Sequence, residues 1–471
     1  MKGLEASIAD ASQLERTCRI DAEYFQKRFL RSAKLIAKWQ RESVQTLAHV
    51  SDGNHFTISD AFVDDGIPYY RGQDVTDRFF AETASPICIT QEAYDRKYMR
   101  RSYLERGDVL LSIIGTIGEL SLVASDDPAT CSCKLAILRP RKIAPEFLAV
   151  FLRSEHGQNQ IERLTRGAVQ KGLLLEDMDQ LWVPDVSERF EKRVAQVVQD
   201  ARVVQQVSAE KINGAKETLL EALGLADWTP PEPLTYSARA SDAFAAGRLD
   251  AQYFMPAKEQ VRQTLAARPG RVLGERVDSI RDMFVPDRAP PDKLVRNYDV
   301  TDALVPLLDA EKAPQTTGEI GSVKKTLKNG DVAISRLRAY LREIAVVRTG
   351  DGIPSVGSSE FIVLRPKIGH RDISPETLMV FLRSEPVQTV LKWCQDGSQH
   401  PRFSERDLLA IPVPDAVAAV SEEITGIVQE GFAARYKGRQ LLEAAKRSVE
   451  VAIEDGEAAA TAFLDTAEGE S

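Results

Sequence analysis

The chain has little of what an active site or a metal centre is built from. Its histidines, His49, His55, His156, His370 and His400, form no H-x-x-x-H or H-E-x-x-H pair, the helical spacing that brings two imidazoles to one metal. Cys18, Cys88, Cys131, Cys133 and Cys394 are odd in number and scattered, which does not make a disulfide framework. Cys131-Ser132-Cys133 is not a zinc spacing, so reduced thiols in a cytoplasmic protein are expected. There is no phosphate-cradling G-x-x-x-x-G-K-[ST] and no G-x-S-x-G elbow. The glycines of Ile114–Glu119 sit inside an apolar, strand-like run and read as a turn between strands. Neither Pro-Pro pair, Pro230-Pro231 or Pro290-Pro291, has the preceding Asn or Asp and following aromatic expected of an adenine methyltransferase. Pro286-Asp287 lacks the acidic-x-Lys partner of a nuclease motif. No catalytic residue and no metal ligand is assigned.

Long apolar runs are missing too. The longest, Val109–Val123, is broken by Ser112, Gly115, Gly118 and Glu119, and is too short and polar to span a bilayer. Glu5, Asp10 and Glu15 come early with no apolar run behind them, unlike a secretory signal. A cytoplasmic chain with no membrane partner is expected. The net charge of −9 argues against a general polyanion binder and leaves room for a local basic face.

What is present is a long internal repeat. At 471 residues the chain should hold more than one domain. RIDAEYF at Arg19–Phe25 returns as RLDAQYF at Arg248–Phe254. RGQDVTD at Arg71–Asp77 returns as RNYDVTD at Arg296–Asp302. RGDVLLS at Arg106–Ser112 returns as NGDVAIS at Asn329–Ser335. VFLRSE at Val150–Glu155 returns unchanged at Val380–Glu385, and WVPD at Trp182–Asp185 as PVPD at Pro412–Asp415. The order is kept and the offsets drift only by small insertions, as in a duplicated unit.

Each unit opens with a short amphipathic helix, around Tyr24–Trp39 or Tyr253–Leu265. Short apolar runs follow between Gly, Pro, Asp and Asn, which read as strands and turns. Helices then start at Pro145 and Pro375, where proline suits the first turn. A polar loop comes next, Arg166–Gly172 or Asp396–Arg402, and each unit closes on a long helix. The first runs from about Val186 to Leu223, with Phe190, Val194, Val197, Ala201 and Val204 on a three–four spacing. The seam slips near Ser208 and resumes at Ile212, Ala215 and Leu219. Asp185 with Glu188 reads as a capping box, and Gly224 as the stop. The second runs from about Ala416 to Ile453 and carries Gly431 and Gly438 on its seam. Glycine in a helix is unfavourable by about 1 kcal/mol relative to Ala, so two in register point to a close helix–helix approach.

The fold class is therefore α+β: two repeated, β-rich domains with short helices, each followed by a long helix. The boundaries are 1–185, a long helix at 186–224, a linker at 225–246, a second domain at 247–415, a second long helix at 416–456 and a flexible tail at 457–471. The segment before Arg19 holds the place of the second half of the linker.

Polar and basic residues recur at matching places in both units. Arg96, Lys97, Arg100 and Arg101, interleaved with Tyr94, Tyr98 and Tyr103, precede GDVLLS; Lys324 and Lys325 precede GDVAIS. They could neutralise phosphates, although each taken singly also suits a solvated helix face. Arg166, Gln170 and Lys171 in one loop, and Ser398, Gln399, His400 and Arg402 in the other, carry side chains able to read base edges. An ordinary polar loop is the alternative. Arg336 and Arg338 follow the second GDVAIS strand where the first unit has Ile113 and Gly115. Arg71, Gln73, Arg296 and Asn297 complete the candidate set. The repeats agree in framework stretches and differ in polar loops, as two scaffolds reading two sequences would.

With this duplicated order of motifs, the chain resembles the specificity subunit of type I restriction–modification enzymes over nearly its whole length. The resemblance implies two target-recognition domains and a pair of antiparallel long helices acting as a coiled-coil spacer. It implies recognition of a bipartite site in double-stranded DNA without catalysis by this chain. The partners implied are two methyltransferase subunits, which bind S-adenosylmethionine, and a restriction subunit that translocates and cuts. A helix of about 36 residues at ~1.5 Å each is roughly 54 Å long, more than one DNA turn of about 34–36 Å. Two other classes stay open: a methyltransferase with degraded motifs, marked by S-adenosylmethionine binding to the isolated chain, and a protein-only scaffold, marked by no sequence-selective DNA binding.

Overall fold

The computed structural model describes residues 7–8, 19–63, 65–84, 86–167, 171–367, 369 and 372–469. It divides into two units, Met1–Gln205 with Arg435–Ser471, and Gln206–Ala434. The fold is α+β, and each unit is built the same way.

In unit 1 the main sheet has strands β1 (Ala48–Asp52), β2 (Val109–Ser112), β3 (Leu120–Leu122) and β4 (Leu135–Pro140), in the order β1-β4-β2-β3, all antiparallel. Residues of β2 alternate between two cores. Val109 and Leu111 join Phe147, Val150 and Phe151 of a helix, while Leu110 joins Tyr70, Val75 and Ile137 on the other side. Successive strand side chains point to opposite faces. A strand covered on both faces must read as an unbroken apolar run, as VLL does. That helix is α2 (Pro145–Arg153); it follows α1 (Lys27–Ile36) and precedes α3 (Glu155–Leu164). A smaller four-stranded sheet has, in its sheet order, Phe62–Val63, Ile87–Ile89, Ile67–Tyr70 and Thr130–Cys131.

Unit 2 repeats the plan with one more strand. Its main sheet has β5 (Val277–Ile280), β6 (Leu307–Asp309), β7 (Val332–Ser335), β8 (Ile344–Arg348) and β9 (Phe361–Pro366), in the order β5-β9-β7-β8-β6. The edge strand β6 is parallel to β8. The same alternation holds: Val332 and Ile334 face one core, Ala333 the other. The helices are α4 (Pro256–Ala266), α5 (Pro375–Arg383) and α6 (Glu385–Cys394).

The two long helices, Glu188–Ala222 and Ser421–Asp455, each contribute to both units. In unit 1, Phe190, Val194, Val197 and Ala201 share a core with Leu441, Ala445, Val449 and Ala452. In unit 2, Ala215 and Leu219 share one with Ile424, Val428 and Phe432. Within unit 1, Ser187 meets Glu457 and Ala201 meets Gly438, so the pair is antiparallel. In unit 2 the expected slip is a polar notch: Ser208 Oγ donates to the Gly431 carbonyl at 2.7 Å. The seam glycines are close approaches. A Cβ on Gly438 would lie 2.9 Å from Gln205 Cγ and 3.2 Å from the Ala201 carbonyl; one on Gly431 would lie 3.3 Å from Ser208 O, Lys211 Cβ and Ile212 Cδ1.

Three local expectations change. The first long helix is capped by Ser187, whose Oγ accepts from the Phe190 N–H at 3.3 Å, and not by Asp185 with Glu188. The carboxylate that completes the box comes from Glu457, which accepts the Ser187 N–H at 2.7 Å. The second long helix is preceded by a separate turn, Asp415–Ala419, ending at Val420. The stretch expected as a flexible tail is a helix, Glu457–Gly469, with Ala460 and Leu464 fully buried in the unit 1 core. The segment before Arg19 falls almost wholly outside the described residues. Gly224 does stop the first helix, at φ +57, with the Leu225 N–H reaching back to the Leu220 carbonyl at 2.8 Å. Among the described residues no helix is long and apolar enough to cross a membrane.

Candidate nucleic-acid interface

The motifs that repeat hold the scaffold. Arg19 forks onto Asp21 at 2.8 and 2.9 Å and donates to the carbonyls of Arg163 and Thr165. Arg248 does the same with Asp250, Cys394 and Gln395. Both pin the start of a unit to the end of the helix before its polar loop, and both Arg partners hold their Asp below the usual carboxylate range. The Asp of GDV is buried and held by a forked Arg: Asp108 by Arg139 at 2.8 Å twice, Asp331 by Arg365 at 2.7 and 2.8 Å. The Arg of VFLRSE caps sheet carbonyls. Arg153 donates to Leu120 O at 2.6 Å, and Arg383 to Ile344 O at 2.7 Å. Burial pushes Arg383 down to about 10.

On this scaffold each unit presents the same loop pair. In unit 1 the backbones of Arg166 and Gly172 pair at 3.0 and 2.8 Å, and the Leu173 N–H donates to Ile113 O at 3.0 Å. In unit 2 Asp396 and Arg402 pair at 2.8 and 2.9 Å, and the Phe403 N–H donates to Arg336 O at 3.1 Å. The polar loop is thus zipped to the turn after β2, or after β7. The expected turn within Ile114–Glu119 is there, with Gly115 and Gly118 at φ +88 and +90. In unit 2 the matching left-handed positions are Arg338 and Arg342, at φ +50 and +53.

Side chains on the shared backbone differ. In unit 2, Glu360 accepts from Arg336 at 2.9 Å and from Arg402 at 2.8 Å. These two guanidiniums, Arg402 first, hold its carboxyl down to about 2. Arg338 donates to His400 Nδ1 at 3.2 Å. Ser398 and Gln399 are exposed at the loop tip. Arg336, Arg338, Ser398, Gln399, His400 and Arg402 are therefore brought together. In unit 1, Arg166 is paired with buried Asp177, which ties it into the loop's base. Lys171 is exposed, 3.8 Å from exposed Glu23. Gln170 lies outside the described residues.

The basic run of unit 1 is a short 3-10 helix, Lys97–Ser102. Lys97 and Arg100 are exposed, and among the described residues neither pairs with an acid. Arg96 donates to Tyr98 Oη at 3.1 Å and lies 3.6 Å from Asp60, and Arg101 pairs with Asp52. Tyr94 stacks on Tyr103 at 4.1 Å, and Phe56, 55% exposed, packs on Tyr98. Gln73 is exposed, and Arg71 is held by Asp74 at 3.1 Å.

The other candidates of unit 2 sit in its framework. Arg296 is buried, forked onto Asp351 at 3.0 and 2.6 Å and donating to Lys312 O at 2.7 Å. Asn297, half-buried, is in the same strand, with its Oδ1 buried and without a hydrogen-bond partner among the described residues. Lys324 and Lys325 lie in a strand rather than on a solvated helix face; Lys324 is buried, 3.5 Å from Asp299. Sequence reasoning passed over Lys134, exposed at the place in unit 1 that Glu360 occupies in unit 2. The Ile113 N–H donates to Lys134 O as the Arg336 N–H does to Glu360 O. Aligning the strands LAILRP and FIVLRP across the repeat would have found it. Tyr340, 59% exposed, was also missed.

No protein-family model and no curated protein matches the chain. Among solved structures it is similar to the type I restriction–modification S subunit from M. genitalium. Identity is 12%, covering 91% of this chain and 94% of that one, with a TM-score of 0.33. It is also similar to the HsdS subunit from Thermoanaerobacter tengcongensis, at 17% identity, 89% and 97% coverage and a TM-score of 0.28. A structure described as showing complex assembly and conformational transition of a type I restriction–modification system gives 17%, 91% and 97%, and 0.28.

Proposed function

We propose that this chain is the DNA-recognition subunit of a type I restriction–modification system. One observation carries the reading: two units keep the same backbone zipper between their loops and vary the polar side chains mounted on it. A catalytic duplication would keep its reactive groups; a pair of sequence readers keeps the backbone and changes the readers. Each unit meets one half of a bipartite site in duplex DNA through its loop pair. Exposed cations such as Lys97 and Arg100 supply phosphate contacts that fix register, while loop residues contact base edges. The chain has no catalysis of its own and binds no S-adenosylmethionine. That cofactor sits on two methyltransferase subunits docked on this chain, and a restriction subunit joins them in the cytoplasm.

The test is single-molecule sequencing of modified adenines in cells with and without the gene. Loss of one bipartite motif on deletion is the expected result. An unchanged modification pattern rejects the reading, and tight S-adenosylmethionine binding by the pure chain in calorimetry would turn it into a methyltransferase.

A further inference from the structure

Two arginines stand where the backbone calls for glycine. The left-handed region is disfavoured for residues with a Cβ, and only Gly visits it freely. Unit 1 meets this demand with Gly115 and Gly118; unit 2 keeps both left-handed positions and fills them with Arg338 and Arg342. Strain of this kind persists where the surrounding structure enforces it, often at functional sites.

Arg342 has a structural partner, since its guanidinium pairs with Glu385, the first residue of α6. Arg338 has a different setting. Among the described residues it makes no ion pair, and its side-chain hydrogen bond goes to His400 Nδ1. Its backbone is fixed on both sides. The Arg338 N–H donates to Pro401 O at 2.9 Å, and the next N–H, of Ala339, to Gln395 Oε1 at 2.8 Å. Arg336 and Arg402, the neighbouring cations, are both bound to Glu360, which leaves Arg338 as the arginine of this group with no carboxylate in ion-pair contact among the described residues, although its charge acts on the buried Glu343. The result is a planar fork of donors on an enforced turn at the junction of the two loops.

We infer that Arg338 reads a guanine in the half-site met by unit 2. A guanidinium matches guanine O6 and N7 with two parallel hydrogen bonds in the major groove, and no other base offers that pair. His400 orients the fork. Gly115 gives unit 1 no such contact, so the requirement is confined to one half-site. This inference rests on the DNA-recognition reading above.

The test replaces Arg338 by Gly, and separately by Lys, in the full chain in its own cells, and reads the modified motif. With Arg338→Gly, discrimination at one guanine of one half-site should fall about 5- to 150-fold, the value of a bidentate base contact. All other positions and the spacer should be unchanged. Arg338→Lys should lose part of the same discrimination, because an ammonium can reach O6 and N7 but lacks the planar, pre-organised pair of parallel donors. The purified Arg338→Gly chain should melt at or above the parent temperature, because glycine relieves the strain. An unchanged motif, uniform weakening at every position, complete loss of modification, or a lower Tm each overturns the assignment. If deleting the gene changes no modification at all, the DNA-recognition reading itself has failed.

Discussion

Units 1 and 2 set the same backbone against opposite charges. The turn residue that accepts from the loop pair, just before the strand, is Lys134 in one and Glu360 in the other, and the zipped pair is Arg166–Gly172 in one and Asp396–Arg402 in the other. In unit 1 the loop arginine is paired with Asp177. In unit 2 two loop arginines are satisfied from the side by Glu360. Hydrogen bonds between main-chain groups ask nothing of side-chain identity, so the zipper tolerates any such exchange. The buried Asp–Arg forks do ask for identity, and they are the parts that both units keep.

That contrast can be broken most severely at the forks. Arg139→Ala in unit 1 and Arg365→Ala in unit 2 each leave a buried carboxylate, Asp108 or Asp331, without its partner. Each should destabilise its own unit by about 3–5 kcal/mol, as removal of one member of a buried pair does. Hydrogen exchange resolved along the sequence should show the loss in the mutated unit. Equal loss in both units would mean that they unfold as one body.

The seam glycines come next, and they belong to different units. Gly438→Leu should destabilise unit 1 and Gly431→Leu unit 2, by about 1–3 kcal/mol from overpacking. Gly438 should be the more sensitive, because its Cβ meets Gln205 Cγ at 2.9 Å against 3.3 Å for the nearest contact at Gly431. Thermal melts of both variants would show the ranking; unchanged melting of both would mean the helices can part at no cost.

The shared cap is weaker. Ser187→Ala should cost about 0.5–2 kcal/mol, typical for an N-cap, and Glu457→Gln should cost less because an amide oxygen still accepts the Ser187 N–H. Chemical denaturation would give both values. The reverse ranking would place the interaction mainly on the carboxylate charge.

The smallest effect separates the units by pH. Glu360 has its carboxyl lowered from an ordinary 4.5 to about 2 by Arg402 and Arg336. A lowered carboxyl contributes stability that is present above its unfolded value and lost as pH falls through its folded one. The stability difference between the parent and Glu360→Gln should therefore shrink as pH falls from 4.5 to about 2. Lys134 gives unit 1 no counterpart. A difference independent of pH would show that the amide preserves the loop as well as the carboxylate does.

Most of the scaffold was legible because it was written twice. RIDAEYF, GDV and VFLRSE recur, and each is now an ion pair or a carbonyl cap that fixes the same joint in both units. The long helices were legible from their seams. The caps were not, because the carboxylate that serves Ser187 is Glu457, far along the chain. The helix at Glu457–Gly469 was misread since its alanines suggest a featureless tail; the four-residue step from Ala460 to Leu464 was the available signal. In the candidate site, Arg296 looked like any exposed arginine. Its burial depends on Asp351, which only the folding of the sheet brings near. Arg338 was visible as a departure from Gly115, but its left-handed backbone was not.

The partition of the chain has a consequence for how it is made. Unit 2, Gln206–Ala434, is continuous, whereas unit 1 is closed by residues from Arg435 onward. On the ribosome, domains fold as units in the order in which their residues emerge. Here the first residues made must wait: Phe190, Val194 and Val197 have no Leu441, Ala445, Val449 or Leu464 to cover them until the whole of unit 2 has been synthesised. A nascent chain halted near residue 434 would carry a finished unit 2 and an open unit 1, with that apolar stripe covered only on the side where Phe190 meets Phe147. The half of the molecule translated first is the half completed last.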